Sequence, residues 1–371
     1  MTRPTEWSRN SLPPPEQLQK VATHTSEILD YASVAGSAPP PSLFARRGDP
    51  ALAEQFSDVL RVPRPIGQVE AVELLSKLLW DDVLRGHSSD PELIRAAIAF
   101  FHKVGFLYKY KSYGVKVASP FGYSVFVLED GKGFSFQLHA ARKLEAFHIL
   151  ETATSSFVYL STEAEWHESG ALKAQDWAES GESQPDSFYA YRPSAGDVIE
   201  VGQTKLVHTV IGCVLEEFAT CSTDTVVRLF DQNAGRRVLL PKTHPDIAEI
   251  LQRTAWMPKR RLSRTNDGWS AVAFQPDSPL IDVHRELTAT RVLLPGSNDD
   301  LRFAPLSDRL VVIVPLNKAM AVDSVGASWS LAPGQTAVIP QNVSFGVRTA
   351  HADSLFALHV VSGELALKAW C

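Results

Sequence analysis

From residue 108 to the C-terminus the chain is built of short apolar runs broken by turn formers: "SYGVKVAS", "YSVFVLED", "GFSFQLH", "AFHILE", "SSFVYLS", "DVIEVG", "HTVIGCVLEEFAT" and "TVVRLFD". Alternation of period two marks strands with one apolar and one polar face, and many such strands at close spacing make a sandwich or a barrel. A second set follows residue 260: "WSAVAFQ", "TATRVLLP", "RLVVIVPL", "AMAVDS", "ASWSLA", "QTAVIP", "FGVRTA" and "LFALHVV". Between the sets, "LPKTHPDIAEILQRTAWMP" (240–258) reads as a helix or linker. The expectation is a mainly β protein with two all-β units.

Before residue 108 the texture is helical. Segments 15–32, 49–60, 67–84 and 90–107 carry apolar residues at three- and four-residue spacing, with "GSAPPPSLFARRGDP" (36–50) as a linker or long loop. In the last segment Ser89 and Glu92 predict a capping box, with Pro91 in the first turn, where a missing N–H costs nothing. The expected organisation is a helical N-terminal region (1–107), a β domain (108–239), a helical linker (240–258) and a second β domain (259–371).

A chain of 371 residues can bury a sizeable core. Its formal charge of −6, without a long basic run, excludes nucleic acid or an anionic membrane as the main partner and leaves a small molecule. Three cysteines without CxxC spacing point to a reducing compartment. No apolar stretch reaches the roughly 20 residues of a spanning helix, and no signal peptide is visible. The chain is expected to be cytoplasmic; its oligomeric state is left open.

The stretch from Phe134 to Glu151 raises the functional question. Phe134, Phe136 and Leu138 alternate with Ser135, Gln137 and His139, although Ala140 to Glu151 has good helix propensity. Inside a small barrel, Gln137 and His139 on one strand face aim at the same spot, and Glu145 from the next strand reaches it. His208, after the Gly196–Asp197 turn, supplies a fourth donor. Such nitrogen and oxygen donors suit one divalent metal ion, zinc first, with iron, manganese or nickel as alternatives.

The order Ser135-x-Gln137-x-His139, Lys143-x-Glu145, Gly196-Asp197-Val198, His208, then Asp224, Arg228 and Asp231 resembles the class I mannose-6-phosphate isomerases. The resemblance covers about residues 118–238 and, more loosely, the C-terminal unit; it does not extend to the first hundred residues. It implies two cupin (jelly-roll β-barrel) domains with the metal in the first, held by Gln137, His139, Glu145 and His208. It also implies that Arg228 and Asp224 act on the sugar and that Ser135 and Lys143 help hold a phosphate. Several positions depart from the pattern. Val210 stands where an aromatic is usual, "VGQTKLVH" lacks the usual Pro and Gly, and the Gln137-to-Glu145 spacing is short, which suggests a relative with an altered substrate.

In the C-terminal unit "PGQTAVIPQNVSFGV" keeps the Gly334-to-Pro340 turn spacing but lacks the histidine, so that barrel is expected to be metal-free. The activity implied is aldose–ketose isomerisation of a sugar or sugar phosphate. The metal and Arg228 would stabilise an enediolate while Asp224 or a metal-linked water moves the proton. His148 is expected to be a packed or exposed strand residue and His167 a loop residue. The same ligands could instead hold Fe(II) in a cupin oxygenase or tailoring enzyme, or the chain could be a non-catalytic sugar-sensing bicupin.

Overall fold

The computed structural model describes Leu79, residues 83–104 and the chain from 107 to 362, apart from 112–113, 119–122, 140–144, 171–189, 202–205, 220–225, 231–255, 266–267, 276–277 and 284–286. The expected helices at 15–32 and 49–60, the 36–50 linker, nearly all of the 67–84 and 240–258 segments, and Lys143, Asp224 and Asp231 lie outside the described residues.

The protein is mainly β. Among the described residues, the helix α1 (Pro91–Val104) leads into the strands. Its cap is Asp90 rather than Ser89: the Asp90 Oδ1 accepts from the Glu92 backbone N–H at 2.9 Å, and the Asp90 carbonyl accepts from Ile94 N–H at 3.0 Å. Pro91 is therefore the first helical residue, a position its fixed φ favours. The helix stops at Val104, short of the expected 107, and Leu107 already begins a strand.

The described residues form two compact units, one running from Tyr108 to Arg291 and the other made of the residues up to Leu107 and those from Val292 onward. An eleven-stranded sheet contains β1 (Leu107–Lys111), β2 (Gly114–Ala118), β3 (Tyr123–Leu128), β4 (Phe136–His139), β5 (Glu145–Ser161), β6 (Ala190–Tyr191), β7 (Asp197–Glu200), β8 (Val207–Ala219), β9 (Val226–Phe230), β10 (Arg260–Thr265) and β11 (Gly268–Ala273). Its order is β1-β2-β3-β8-β5-β7-β10-β11, with β4 pairing both β8 and β9. The runs "AFHILE" and "SSFVYLS" are not two strands but one, β5, antiparallel to β8 with register shifts after Ile149 and Thr152. No Gly or Pro interrupts β5, so the ribbon bends through these irregularities instead of breaking. Gly212, at φ 61°, serves the bend from β8, and its carbonyl accepts from the Ser156 hydroxyl.

Two apolar clusters cover opposite faces of this ribbon. Phe126, Phe134, Phe147, Ile149, Val210 and Leu215 belong to one; Phe136, Leu138, Phe157, Tyr159, Trp166 and Ile211 belong to the other. Phe136 meets both Tyr159 and Trp166 at 5.1 Å between ring centroids. Contacts of this kind add about 0.5–1.5 kcal/mol each beyond area burial, and they pin the outer face of β4, so Gln137 and His139 turn inward. Phe134 does not share the face of Phe136 as simple alternation predicts. It lies in the inner cluster because β4 becomes regular only at Phe136.

β10 pairs in parallel with β7, where Arg260 donates to the Asp197 carboxylate through Nε at 2.8 Å and Nη2 at 2.9 Å. Asp197 is buried and also accepts from Tyr191 Oη at 2.6 Å and Ser194 N–H at 2.8 Å. The Gly-Asp turn is thus an anchor for β10. Residues 260–273 group with the first unit, not with the strands that follow Val292.

Then come the hairpin of β12 (Ile281–Val283) and β13 (Leu287–Leu294), followed by β14 (Asp300–Phe303), β15 (Arg309–Pro315), β16 (Met320–Ser324), β17 (Ala327–Leu331), β18 (Ala337–Ile339), β19 (Phe345–Arg348) and β20 (Ser354–Ser362). In the second unit β15 lies between β18 and β20 and is buried from Leu310 to Pro315, as a strand covered on both faces must be. The other sheet runs β14-β19-β16-β17. α1 packs on β17 and β18, and its Arg95 donates to the Val325 carbonyl at 3.4 Å.

Candidate metal centre

β4, β5 and β8 each deliver polar side chains to the inner face of the first unit. His139, Glu145 and His208 are all buried, and their nearest ligand-type atoms lie within 4.8 Å of one another. His139 Nε2 is 2.9 Å from Glu145 Oε2, and His208 Nε2 is 3.5 Å from the same oxygen. The imidazole rings of His139 and His208 are 5.2 Å apart, with Phe147 5.8 Å from His208 as an apolar floor. Register explains part of the convergence: Gln137 is the cross-strand partner of His208, whereas Glu145 opens β5 opposite Ala219, at the far end of β8 from His208, and reaches the group through the bend of the β5–β8 ribbon.

The donor set fits a cation. His208 Nδ1 is 3.1 Å from the Leu206 carbonyl, which can only accept, so Nδ1 carries a proton and Nε2 is the ring atom that faces Glu145 Oε2. Two imidazole nitrogens and a carboxylate oxygen converging in a buried space make a donor set of the kind that holds a divalent ion. The backbone carbonyl behind His208 is the kind of outer support that fixes a ligand imidazole. Gln137 Nε2 lies 3.4 Å from His208 Nε2, while its Oε1 accepts from Ser135 Oγ at 3.2 Å. A turn of the amide by 180° keeps the Ser135 contact, since a hydroxyl also accepts, and brings Oε1 to the donor group.

The structure thus brings together all four expected ligands and Ser135. Arg228 is paired with Gln137 in the backbone register between β9 and β4. His167 is exposed in a helical turn (Trp166–Gly170) rather than a loop. His148 is completely buried on the opposite face of β5, away from Glu145, and does not join the group.

Sequence reasoning missed what surrounds His148. Glu216 accepts from His148 Nδ1 at 2.7 Å and from Tyr123 Oη at 3.0 Å, and forms an ion pair with Arg291, whose guanidinium lies 5.8 Å from the Phe218 ring and 5.7 Å from that of Trp256. Burial pushes the His148 pKa well below the ordinary imidazole range, with Arg291 adding to it, and lowers that of Arg291 to about 10. The signal was available: two glutamates inside the apolar run "VIGCVLEEFA".

No family model matches the sequence, and no curated protein matches it. Among solved structures, the mannose 6-phosphate isomerase from Bacillus subtilis matches at a TM-score of 0.41 and 9% identity, over 68% of this chain and 97% of that one. An oxalate decarboxylase structure matches at 0.40 and 9% identity, over 70% and 76%. A Cupin 2 conserved barrel domain protein from Leptotrichia buccalis matches at 0.34 and 11% identity, over 70% and 90%. These neighbours are cupin-fold proteins; the functional reading rests on this chain's own residues.

Proposed function

We propose that the first unit is the catalytic part of a metal-dependent cupin enzyme that interconverts an aldose and a ketose, acting on a sugar or sugar phosphate. The observation that carries this reading is the buried convergence of His139, Glu145 and His208 with the Gln137 amide beside them. In the proposal these four residues hold one divalent ion, zinc first, with iron, manganese or nickel as alternatives. The ion would supply Lewis-acid stabilisation of the oxygens of an enediolate.

The chain's own residues take the remaining roles. The Leu206 carbonyl holds the His208 proton on Nδ1 and so keeps Nε2 as the donor atom. Phe147 and the inner apolar cluster limit water beneath the site and strengthen every electrostatic contact above it. Arg228, on the register row of Gln137, is assigned to the charge that develops on the substrate. Asp224 is assigned to proton transfer between C1 and C2, and Ser135 and Lys143 to the substrate's phosphate.

Elemental analysis of protein purified without added metal should find about one divalent ion per chain. In deuterated water the loaded protein should exchange the C2 proton of mannose 6-phosphate, glucose 6-phosphate or the parent hexoses, followed by proton NMR. Protein that refuses zinc, manganese, iron and nickel overturns the metal site. Loaded protein that exchanges none of these protons overturns the isomerase reading, and oxygen uptake by the iron form in its place assigns an oxygenase.

A further inference from the structure

The second unit carries a cavity of about 490 Å³ beside the β16–β17 hairpin, lined by Arg302, Phe303, Asp323, Ser328 and the turn residues Val325 and Gly326. That volume falls in the range of small-molecule sites, roughly 300–1,000 Å³. Its charges are balanced by pairing. The Arg302 Nη2 donates to Asp300 at 2.8 Å, and the Asp323 carboxylate takes both Nε and Nη2 of Arg348. The arginine keeps Asp323 ionised, with its pKa lowered to about 2, so it offers acceptor oxygens at any neutral pH. Phe303 stacks on Phe345 at 4.5 Å and closes one side with apolar surface.

Two positions shape this cavity. The first is Gly346, in the middle of β19, where a Cβ would meet Arg302 Nη1 at 2.7 Å and Cζ at 3.0 Å; its absence lets the guanidinium lie across the sheet. The second is Val325, at φ 42°, followed by Gly326 at φ 74°. A two-residue hairpin with both central residues at positive φ favours Asn-Gly, and a β-branched residue there is strained. Strain of this kind persists only where the surrounding structure holds it; here Val325 lines the cavity and its carbonyl accepts from Arg95.

From these features we propose that the cavity is a binding site for an uncharged saccharide, separate from the metal centre and independent of the isomerase reading. A charge-balanced pocket gives no net attraction to an anion, whereas the remaining lone pairs of Asp323, the remaining N–H groups of Arg302 and the Ser328 hydroxyl oxygen suit the alternating donors and acceptors of a sugar's hydroxyl groups. Val325 and Phe303 supply apolar contact for its C–H face.

The test uses methyl α-D-mannopyranoside and methyl α-D-glucopyranoside, whose blocked C1 prevents isomerisation, with binding to the full chain followed by saturation-transfer NMR and calorimetry. At least one should bind, and binding should persist in His208→Ala, which places it outside the metal centre. Arg302→Ala should weaken it about tenfold. Val325→Asn gives a paired readout: the melting temperature should rise as strain is relieved, while sugar binding weakens. Binding lost in His208→Ala, unchanged in Val325→Asn and Arg302→Ala, or absent for both glycosides overturns the proposal.

Discussion

His148 and Glu216 share a hydrogen bond of 2.7 Å in which both side chains are wholly buried. Glu216 is also held by Arg291 and Tyr123, so its charge is balanced without a cationic histidine, and neutral His148 donates through Nδ1. Because burial, with Arg291 next, depresses the folded pKa, the unfolded chain binds the extra proton first as pH falls. This contribution to stability is therefore complete above the unfolded value of about 6.5 and is lost below it, by up to about 1.4 kcal/mol per pH unit. Urea denaturation between pH 7.5 and 5 should show that slope in the wild type and a shallower one in His148→Gln. Parallel slopes in the two proteins would remove His148 as the source.

Gly133 bridges to Ile211 just before β4, and a Cβ there would lie 2.2 Å from the Val210 carbonyl oxygen and 2.4 Å from Ile211 Cγ1. The neighbours are backbone and packed core, so Gly133→Ala should push β4 away from β8 at a cost of about 1–3 kcal/mol. The same displacement separates Gln137 from His208. Metal affinity should fall along with the urea midpoint, which a competition assay with a chelating dye will read.

The two buried histidines at 208 and 359 should behave differently. His208 belongs to the donor group, whereas His359 lies on β20 opposite Val312 in the second unit. His208→Ala should lose the bound ion while far-UV circular dichroism is retained; His359→Ala should keep it. Equal loss of metal from both contradicts a site confined to the first unit.

Lys143 tests the phosphate assignment. Lys143→Ala should weaken mannose 6-phosphate and glucose 6-phosphate more than the parent hexoses, by about tenfold, as expected for one lost charge-assisted contact, with metal content unchanged. A fall in metal occupancy without a change in that preference makes Lys143 a counter-ion to Glu145.

Much of this architecture is legible in the chain because period-two alternation is strong wherever one strand face is buried. The eight runs after residue 260 correspond to β11, β13 and β15 to β20. What alternation does not encode is partnership over distance. β10, "RRLSRT", has few apolar residues, and its attachment depends on Arg260 meeting an aspartate 63 positions earlier. The donor group was readable because Gln137 and His139 share a strand face, whereas the two glutamates in an apolar run mark a buried charge at Glu216 without naming its partners, which come from β3, β5 and β13. Simple alternation also misplaced Phe134, since nothing in the sequence marks where β4 becomes regular.

The parallel pairing of β7 with β10 sets an order on the making of the molecule. When Asp197 leaves the ribosome, the strand that will cover this edge of β7 has not been synthesised; Arg260 follows 63 residues later. At about 5–20 residues per second, the edge waits roughly 3–13 s with unpaired backbone groups. A nascent chain halted between the two would display β7 to any passing strand. The first unit therefore cannot close as soon as β1 to β9 are made; its last side waits for β10, which the chain supplies only near the unit's own end.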